Sequence, residues 1–493
     1  MDRTSEQAEE RLVVSRLDQP VWYWSLAFLV AGFYVATSLY ISSHRLLWSD
    51  EIYTAITTRM PNFRTIWESL SASSDQIPPL YFLITRGFDR LFRHADIGLR
   101  VPSALALGAG LLVTFDIARR LTDGVYGLLA MAFLTTSFVP YYGYEARPYA
   151  LCFTLVAVAL WLWIFTKDES KTAAAAFGAL FLIGVAIHYY FLLCLAPFGI
   201  AALLGKRIFH PKLIAAAAGV MCSMAVLHRQ IASSHSAAIL ADWAAPSPGR
   251  LPAVYLEFFP GALLPLVLTA AGVVVFGRPR ERLVSSMTSG ERISWLFLTI
   301  PLAEYLLAVL VTNRFLGRYI IGAVPGIAVA VTCLLWRYCR ESRYLSLALL
   351  VVFGWFGVTQ QLLTLKYIDH IEAVGDYQEG TRQILALEDT LHREGKSHFA
   401  VTSNLQFLEV WYYSKYSYQY GYAGPRQSWV TRKYLALDKR YPPLNILSIK
   451  DIVANARQTA VINPGPDLIA ALEGAGLHTK VRFSEPQYVV YLE

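Results

Sequence analysis

The sequence predicts a polytopic α-helical membrane protein, and three properties of the chain support this class. Of its 493 residues, 55% are hydrophobic and only 16% are charged, whereas soluble proteins carry roughly a quarter charged residues. The mean hydropathy is +0.40. Apolar runs close to the ~20 residues that cross a bilayer as a helix recur along the chain, and a helix satisfies its own backbone hydrogen bonds in lipid.

These runs predict about eleven transmembrane helices, of which the first begins near Trp22. No small-residue cleavage site follows the first span, which indicates a retained signal anchor. We therefore divide the chain into an N-terminal segment (1–21), a transmembrane domain (22–365) and a C-terminal domain (366–493). The predicted spans are about 22–41, 99–118, 124–140, 148–165, 173–188, 190–204, 212–228, 259–277, 293–312, 319–336 and 344–364.

The charge of the loops sets the predicted orientation, because Lys and Arg concentrate in cytoplasmic loops. Five basic clusters fall on one side with the N-terminus, which makes that side cytoplasmic and the C-terminal domain extracytoplasmic. The first outer loop, about 42–98, is also basic, which suits an anionic lipid ligand. The five clusters are Arg119 with Arg120, Lys167 with Lys171, Lys206 to Lys212, Arg278 to Arg282, and Arg337 to Arg343.

The net charge of +7 and the isoelectric point near 9.0 do not indicate nucleic-acid binding. Most of the surplus lies in short loops, where it orients the protein and contacts lipid headgroups. The five cysteines lie in or beside apolar runs without a C-x-x-C pair, so neither a disulfide framework nor a zinc site is predicted. We therefore expect a protein of the cell membrane whose partners include membrane lipids.

Two segments of the first outer loop, 52–70 and 79–94, are amphipathic and too short to span, so they predict helices in the membrane interface. The last 120 or so residues alternate helical and β-rich patterns and predict a small α/β domain. Candidate strands there are His398–Thr402, Ala460–Asn463, Val481–Ser484 and Tyr488–Leu492, and candidate helices are Gln378–Glu394 and Pro466–Glu473.

Asp50 and Glu51, directly after the first span, are the first candidates for chemistry. A carboxylate there could act as general base toward a hydroxyl or ligate a divalent cation. The alternative is helix capping or plain solvation in a loop.

Two arginines lie where predicted helices begin on the outer side. Arg147 precedes a helix that Pro148 suits as a first-turn residue, and a helix N-terminus beside an arginine favours an anion such as phosphate. Arg318 lies at the apolar boundary, where a buried charge needs a partner. The alternatives are an interfacial anchor at Arg318 and a surface pair of Arg147 with Glu145.

Aromatic residues accompany these charges. His188 with Tyr189 joins two spans, and Tyr81 lies in the segment Gln76–Phe82. Each could line a substrate pocket, although tyrosines at a membrane interface are often only an aromatic belt. Asp242 with Trp243 is a weaker signal, since such a pair in a loop is usually a turn. Together these residues place carboxylates, arginines and aromatic rings on one membrane face, as transfer from a lipid-linked phosphosugar would need.

The ordered motifs resemble a known family. They run Trp48-Ser-Asp-Glu51, Pro78-Pro-Leu-Tyr-Phe82, Leu99-Arg-Val-Pro-Ser-Ala104, Tyr144-Glu-Ala-Arg-Pro-Tyr-Ala-Leu151, His188-Tyr-Tyr190 and Arg318-Tyr319. In this order they resemble the GT-C glycosyltransferases of the protein O-mannosyltransferase superfamily, whose bacterial relatives include the lipid A aminoarabinose transferases. The resemblance covers about residues 20–330.

The resemblance implies a polyprenyl-phosphate-linked monosaccharide donor, an inverting displacement and an active site on the extracytoplasmic face. It implies that Asp50 is the catalytic acidic residue, supported by Glu51, and that Glu145 occupies the second acidic position. Donor phosphate would contact Arg147, Arg318 and Arg100, and substrate would contact Tyr81, His188, Tyr189 and Tyr319. Metal dependence varies across this fold, so no metal is assigned and a divalent cation stays open.

The acceptor hydroxyl could belong to a glycolipid, a glycan or a protein. The large inserted luminal domain typical of eukaryotic protein mannosyltransferases is absent, which weakens protein as the acceptor. Two other functions compete with glycosyl transfer. A flippase or transporter of lipid-linked glycans predicts internal repeats and broken helices at the bilayer midplane, and an O-antigen-type ligase or polymerase would carry its key loop late in the chain.

Overall fold

A computed structural model describes residues 21–207, 209–238, 244–259, 267, 287–368, 375–424, 429–438, 444–485 and 487–493. The chain folds into two compact units. One contains residues 1–43, 77–228 and 241–366, and the other contains 44–76, 229–240 and 367–493. The second unit therefore joins the beginning of the predicted first outer loop to the C-terminal residues.

The first unit is a bundle of apolar helices, as predicted. Within the described residues, five helices are long and apolar enough to cross a membrane, and six if a pair bent by 70° at residue 227 counts as one span. The five are Trp22–His44, Asp96–Leu121, Ser289–Thr312, Gly317–Cys339 and Arg343–Lys366, and the bent pair is Pro211–Val226 with His228–Ser236.

Shorter apolar helices account for other predicted spans: Gly124–Thr135, Tyr149–Phe165, Lys171–Ile187 and Tyr189–Leu204. Further helices of this unit are Pro79–Leu91, Val139–Tyr142 and Arg250–Phe258. The predicted span 259–277, the basic cluster Arg278–Arg282, the Asp242–Trp243 pair and residues 1–20 of the N-terminal segment lie almost entirely outside the described residues.

Glycine permits the close approach of two neighbouring helices in this bundle. A Cβ atom added at Gly219 would lie 2.3 Å from the main-chain oxygen of Gly178, and one added at Gly178 would lie 2.8 Å from that of Ala215. Small residues allow such backbone contact in helix pairs of membrane proteins, where dispersion forces drive packing. The helices Lys171–Ile187 and Pro211–Val226 therefore pack through their glycines.

The first outer loop forms the short helices that its amphipathic pattern predicts. Ser49–Thr58 and Phe63–Ser71 lie in the second unit, with the break at Pro61, and Pro79–Leu91 lies in the first. Asn62 accepts the N–H of Thr65 at 3.0 Å and caps the middle helix. Their placement at a membrane surface stays a prediction.

The second unit contains the small α/β fold that the C-terminal pattern predicts. Its six-stranded sheet has the order β3-β2-β1-β4-β6-β5, in which β3, β2, β1 and β4 are parallel and the β4–β6 and β6–β5 pairs are antiparallel. The strands are β1 (His398–Val401), β2 (Tyr420–Tyr422), β3 (Asn445–Ile446), β4 (Thr459–Ile462), β5 (Thr479–Phe483) and β6 (Val489–Leu492). Its helices are Gly375–Arg393, Asn404–Tyr413, Trp429–Asp438, Ile449–Ala454 and Pro466–Gly474.

All four predicted strands and both predicted helices of this region form. The sequence did not predict β2 and β3, because strands of two or three residues are too short for their alternation to stand out. Ala400, Val461 and Leu492, from three adjacent strands, pack with Ile452 and Leu472 in a core on one side of the sheet.

Candidate active site

Glu145 and Arg147 lie in a turn that connects the short helix Val139–Tyr142 to the long helix Tyr149–Phe165. Both side chains are buried, with 2% and 6% of their surface exposed. The hydroxyl of Ser103 donates to the main-chain oxygen of Arg147 at 3.1 Å, which ties this turn to the helix Asp96–Leu121. Arg147 is therefore held at the N-terminus of the following helix, where the sequence places it.

Four aromatic rings gather next to this turn. His188 lies 5.6 Å from the ring of Tyr149 and 5.3 Å from that of Tyr319, measured between ring centres. Tyr190 stacks on Tyr319 at 4.3 Å. The rings line a narrow cavity together with Arg318, Cys152 and Cys194. The structure thus brings His188 together with Arg318 and Tyr319, which are adjacent to each other but far from His188 in the sequence.

Arg318 adds a second positive charge to this cluster. Its guanidinium carbon lies 6.0 Å from the ring centre of Tyr149 and 5.8 Å from that of Tyr319, within the range of a cation–π contact. Arg318, Arg147 and Glu145 are all near enough for their charges to act on Tyr149. Two arginines and aromatic rings at one helix N-terminus are a set that would bind a phosphate ester.

A buried carboxylate supports the segment that carries Arg318. Glu304, in the helix Ile300–Leu307, is fully buried, and its Oε1 accepts the N–H of Leu316 at 3.2 Å. Asn313, at the end of the preceding turn, adopts a left-handed conformation with φ of 51°. The sequence reading did not select Glu304, although an acidic residue inside an apolar run is a recognised functional signal.

The bundle separates this cluster from the basic residues that were predicted to be cytoplasmic. At the other end of the helix Asp96–Leu121, Asp116 pairs with Arg119 and Arg120, both at 2.7 Å. Nearby, the buried Lys212 donates to main-chain oxygens of Leu162, Trp163 and Thr166 where the helix Tyr149–Phe165 ends. The cluster of Arg147, Arg318 and the neighbouring aromatic rings therefore lies at one end of these helices, and the basic residues lie at the other end.

Arg100, which was predicted to contact donor phosphate, forms a hydrogen bond with the first transmembrane helix. Its side chain is fully buried, and its Nη1 donates to the main-chain oxygen of Ser42 at 3.0 Å. This carbonyl belongs to the last turn of the helix Trp22–His44, whose C-terminal dipole favours a cation. Phosphate binding by Arg100 stays a prediction.

Tyr81 and Tyr189, which were also predicted to contact substrate, are not among the residues that line this cavity. Tyr81 is fully buried in the helix Pro79–Leu91 and packs 5.6 Å from the ring of Phe82. Tyr189 is half-buried and is not among the residues that line the cavity, whereas its neighbour Tyr190 is. His188 and Tyr190 of the motif His188-Tyr-Tyr190 line the cavity, and substrate contact by Tyr81 and Tyr189 stays a prediction.

Asp50 and Glu51 lie in the second unit, in the first turn of the helix Ser49–Thr58. Asp50 is half-buried, whereas Glu51 is fully buried. Glu51 accepts the N–H of Trp48 at 3.3 Å and so satisfies one backbone donor at the helix start. Glu51 therefore stabilises the start of the helix, and the catalytic role of Asp50 stays a prediction.

Glu409, a carboxylate of the C-terminal region, interacts electrostatically with the start of the helix Ser49–Thr58. It is fully buried and accepts the hydroxyl of Thr381 at 2.8 Å. Burial raises the pKa of Glu409 to about 7, and the charge of Glu51 adds to the rise, while Thr381, Arg45 and the N–H of Ser49 oppose it. The sequence reading missed Glu409, which carries no local signal in its Leu-Glu-Val-Trp setting.

This raised pKa predicts that stability falls as pH increases toward neutrality. The folded state retains a proton on Glu409 up to a pKa of about 7, compared with an ordinary pKa of 4.5 for a glutamate side chain. The stability that this proton contributes is therefore fully present below pH 4.5, is lost progressively as pH rises from 4.5 to about 7, by at most ~3 kcal/mol, and changes little above that pH. Thermal unfolding followed between pH 5 and pH 8 should show this loss, with a flatter profile in Glu409→Gln.

Glu473→Gln, at an exposed carboxylate of the same unit, is the control and should keep the wild-type profile. The pKa of Glu388 is also raised by burial, so some slope should remain in Glu409→Gln. Equal slopes in wild type and Glu409→Gln would contradict the assignment to Glu409.

No group of three or more His, Cys, Asp and Glu side chains is arranged to hold a metal ion within the residues described above. The described residues therefore offer no candidate ligand set for the divalent cation that the sequence analysis left open.

Comparisons with known proteins support the fold and the motif order. The family model of dolichyl-phosphate-mannose-protein mannosyltransferases matches residues 76–228, which include Tyr81, Arg100, Glu145, Arg147 and His188. No relative is found among the curated proteins.

Two solved structures are similar in fold: ArnT from Cupriavidus metallidurans bound to undecaprenyl phosphate, and the same protein in the apo state. Each aligns with a TM-score of 0.60 at 12% identity over 95% of this chain; the alignments cover 98% and 97% of the respective ArnT chains. At this identity the likeness establishes the fold, which extends over both units of the chain. The resemblance to the GT-C superfamily is confirmed.

Proposed function

We propose that this protein is an integral membrane glycosyltransferase. It moves a monosaccharide from a polyprenyl-phosphate-linked donor to a hydroxyl acceptor on the extracytoplasmic face, with inversion at the anomeric carbon. The observation that carries the proposal is the cluster of Arg147 and Arg318 with the rings of Tyr149, His188 and Tyr319, on a GT-C fold.

The cluster suits the donor phosphate because arginine keeps its charge and binds phosphate through paired hydrogen bonds. Arg147 and Arg318 would bind the phosphodiester before reaction. As the bond from the anomeric carbon to the phosphate oxygen breaks, a second full negative charge develops on that phosphate. The same two cations stabilise this charge, so they favour the transition state over the bound donor.

Asp50 would act on the acceptor. Its carboxylate removes the proton from the acceptor hydroxyl as the acceptor oxygen forms a bond to the anomeric carbon from the face opposite the phosphate. The products are an inverted glycoside and polyprenyl phosphate, and the proton leaves Asp50 for solvent. Glu51 holds the first turn of the Asp50 helix, and Glu145 contributes negative charge beside Arg147 and Tyr149.

The fold similarity to ArnT bound to undecaprenyl phosphate supports a polyprenyl phosphate as the lipid partner. The described part of the C-terminal region is a small α/β fold with six strands, and the sequence lacks the large inserted luminal domain that is typical of eukaryotic protein mannosyltransferases. We therefore favour a glycolipid or glycan hydroxyl over protein.

The test is a transfer assay with purified protein in lipid vesicles and a panel of polyprenyl-phosphate monosaccharides, using cell-envelope lipids as acceptors. We expect release of polyprenyl phosphate and labelled acceptor with one donor or a few. Movement of lipid-linked glycan across the vesicle bilayer, with no glycosidic bond broken for any donor, would instead establish a flippase.

A further inference from the structure

The helix that carries Asp50 is held at both ends by the C-terminal α/β fold. Before the helix, the N–H of Leu47 donates to the hydroxyl oxygen of Tyr413 at 2.6 Å, and Gln378 donates to the main-chain oxygen of Leu46 at 3.1 Å. After the helix, Arg59 donates to the hydroxyl oxygen of Tyr412 at 2.5 Å. These residues lie in the helices Asn404–Tyr413 and Gly375–Arg393, so two elements of the α/β fold bracket the segment 46–59.

The middle of the Asp50 helix is held by a third element. Tyr53 stacks on Tyr434 with ring centres 6.3 Å apart, and the Lys433 ammonium lies 4.4 Å from the ring centre of Tyr53. Both partners belong to the helix Trp429–Asp438, and Tyr53 and Tyr434 are almost completely buried. Short polar contacts at the ends and a buried aromatic contact in the middle fix a helix in rotation and in translation.

Glu409 lies at the centre of this contact. It belongs to the same helix as Tyr412 and Tyr413, is hydrogen-bonded to Thr381 of the neighbouring helix, and acts on the start of the Asp50 helix. The charged and titratable groups that interact with it are Arg45 and Glu51 of the Asp50 segment and Tyr434 of the helix Trp429–Asp438.

We propose that the C-terminal α/β fold holds the Asp50 helix in its catalytic position, with Glu409 as the positioning residue. This rests on the proposed function, since it assigns the C-terminal region a part in the same reaction. A general base must lie within hydrogen-bond reach of the proton that it removes, and a misplacement of ~1 Å can lower a rate about 100-fold. Glu409 touches no substrate in this proposal and acts only through the helix.

The experiment measures kcat and KM for donor and acceptor in wild type, Glu409→Ala and Glu409→Gln at pH 6. Glu409→Ala leaves a space and removes the acceptor of the Thr381 hydroxyl, so we expect kcat to fall about 10- to 100-fold with little change in donor KM. Glu409→Gln keeps the shape of the protonated acid and an acceptor oxygen, and should restore most of this loss. An equal loss in Ala and Gln variants would overturn the role of the neutral acid.

The pH profile separates positioning from general stability. Glu409 becomes ionised as pH rises past its pKa of about 7, so wild-type kcat should fall relative to that of Glu409→Gln between pH 6 and pH 8. Parallel profiles would contradict the proposal. The matched control is Glu388→Gln, at a buried carboxylate of the same unit that accepts the hydroxyl of Tyr420 at 2.8 Å; we expect its kcat to match wild type.

Asp50→Asn provides the test of mechanism. If Glu409 acts through Asp50, adding Glu409→Ala to Asp50→Asn should reduce the residual rate by less than twofold, because no base remains to be positioned. A full additional 10-fold loss would show that Glu409 acts elsewhere.

Two further measurements keep the proposal testable if Glu409→Ala fails to fold or if no donor is turned over. Tyr413→Phe and Tyr412→Phe each delete one hydroxyl and leave the ring, and we expect a smaller fall in kcat from each. Hydrogen exchange of the main chain over residues 46–59 needs no activity and should accelerate in these variants and in Glu409→Ala. Unchanged exchange would refute the proposal that the α/β fold holds the Asp50 helix. Faster exchange in the variants, together with no glycosyl transfer by wild type, would contradict only the proposed function.

Discussion

Asp50→Asn should lower the rate of sugar transfer by about 10²- to 10⁴-fold, which is the contribution typical of a positioned general base. The substitution keeps the size of the side chain and removes its ability to accept a proton. Because the Asp50 side chain makes no contribution to donor phosphate in this mechanism, donor KM should change little. The measurement is kcat for transfer in lipid vesicles with saturating donor and acceptor.

The control for Asp50→Asn is Asp389→Asn, at a carboxylate in the same unit that pairs with Lys415 on the surface at 2.6 Å. It makes the same chemical change and should leave transfer at the wild-type rate. Glu51→Ala should act differently from both, lowering stability because it removes the oxygen that accepts the N–H of Trp48 at the start of the helix. Transfer by Asp50→Asn at the wild-type rate would exclude Asp50 as the base.

Arg318→Ala should weaken donor use about 10- to 100-fold in kcat/KM. A charge-assisted hydrogen bond contributes about 1.5–3 kcal/mol, which corresponds to this range. Arg318→Lys should recover only part of the loss, because an ammonium keeps the charge but cannot form the paired contact of a guanidinium. Acceptor KM should be unchanged, since the cluster around Arg318 is assigned to the donor alone.

A binding measurement separates phosphate recognition from chemistry in this variant. Undecaprenyl phosphate should raise the thermal unfolding temperature of wild type and raise that of Arg318→Ala less at the same concentration. Arg340→Ala is the matched control, because Arg340 follows the far end of the same helical segment and lies over Trp336 at 4.3 Å. Equal stabilisation of wild type and Arg318→Ala by the lipid would remove Arg318 from the phosphate site.

The sequence predicted the helices of the bundle well, because a run of apolar residues in lipid has few alternatives to a helix. Lengths were less predictable. Gly124–Thr135 is shorter than the predicted span 124–140, since a turn at 136–138 separates it from the short helix Val139–Tyr142. The span near 190–204 begins as a 3-10 helix at Tyr189–Cys194, a change of winding that hydropathy does not encode.

The candidate site was predictable where several chemical signals fell in one motif. Arg147 and Arg318 were selected because each combines an arginine with a helix start or an apolar boundary, and the structure places both beside Tyr149. Glu409 and Glu304 were not selected, because their importance depends on burial and on partners distant in the chain. Long-range pairing of this kind cannot be read from one sequence without an independent measure of contact.

In the proposed mechanism, the helix Asp96–Leu121 sets the depth of the donor site in the membrane. Its 26 residues span about 39 Å, more than the ~30 Å of the hydrocarbon core. Charged side chains at positions 100 and 116, about 24 Å apart along an ideal helix, favour a depth at which both lie near the ends of the hydrocarbon core. Because Ser103 of this helix holds the backbone of Arg147, a bilayer of different thickness should move the phosphate site relative to the headgroups, and donor affinity should depend on acyl-chain length.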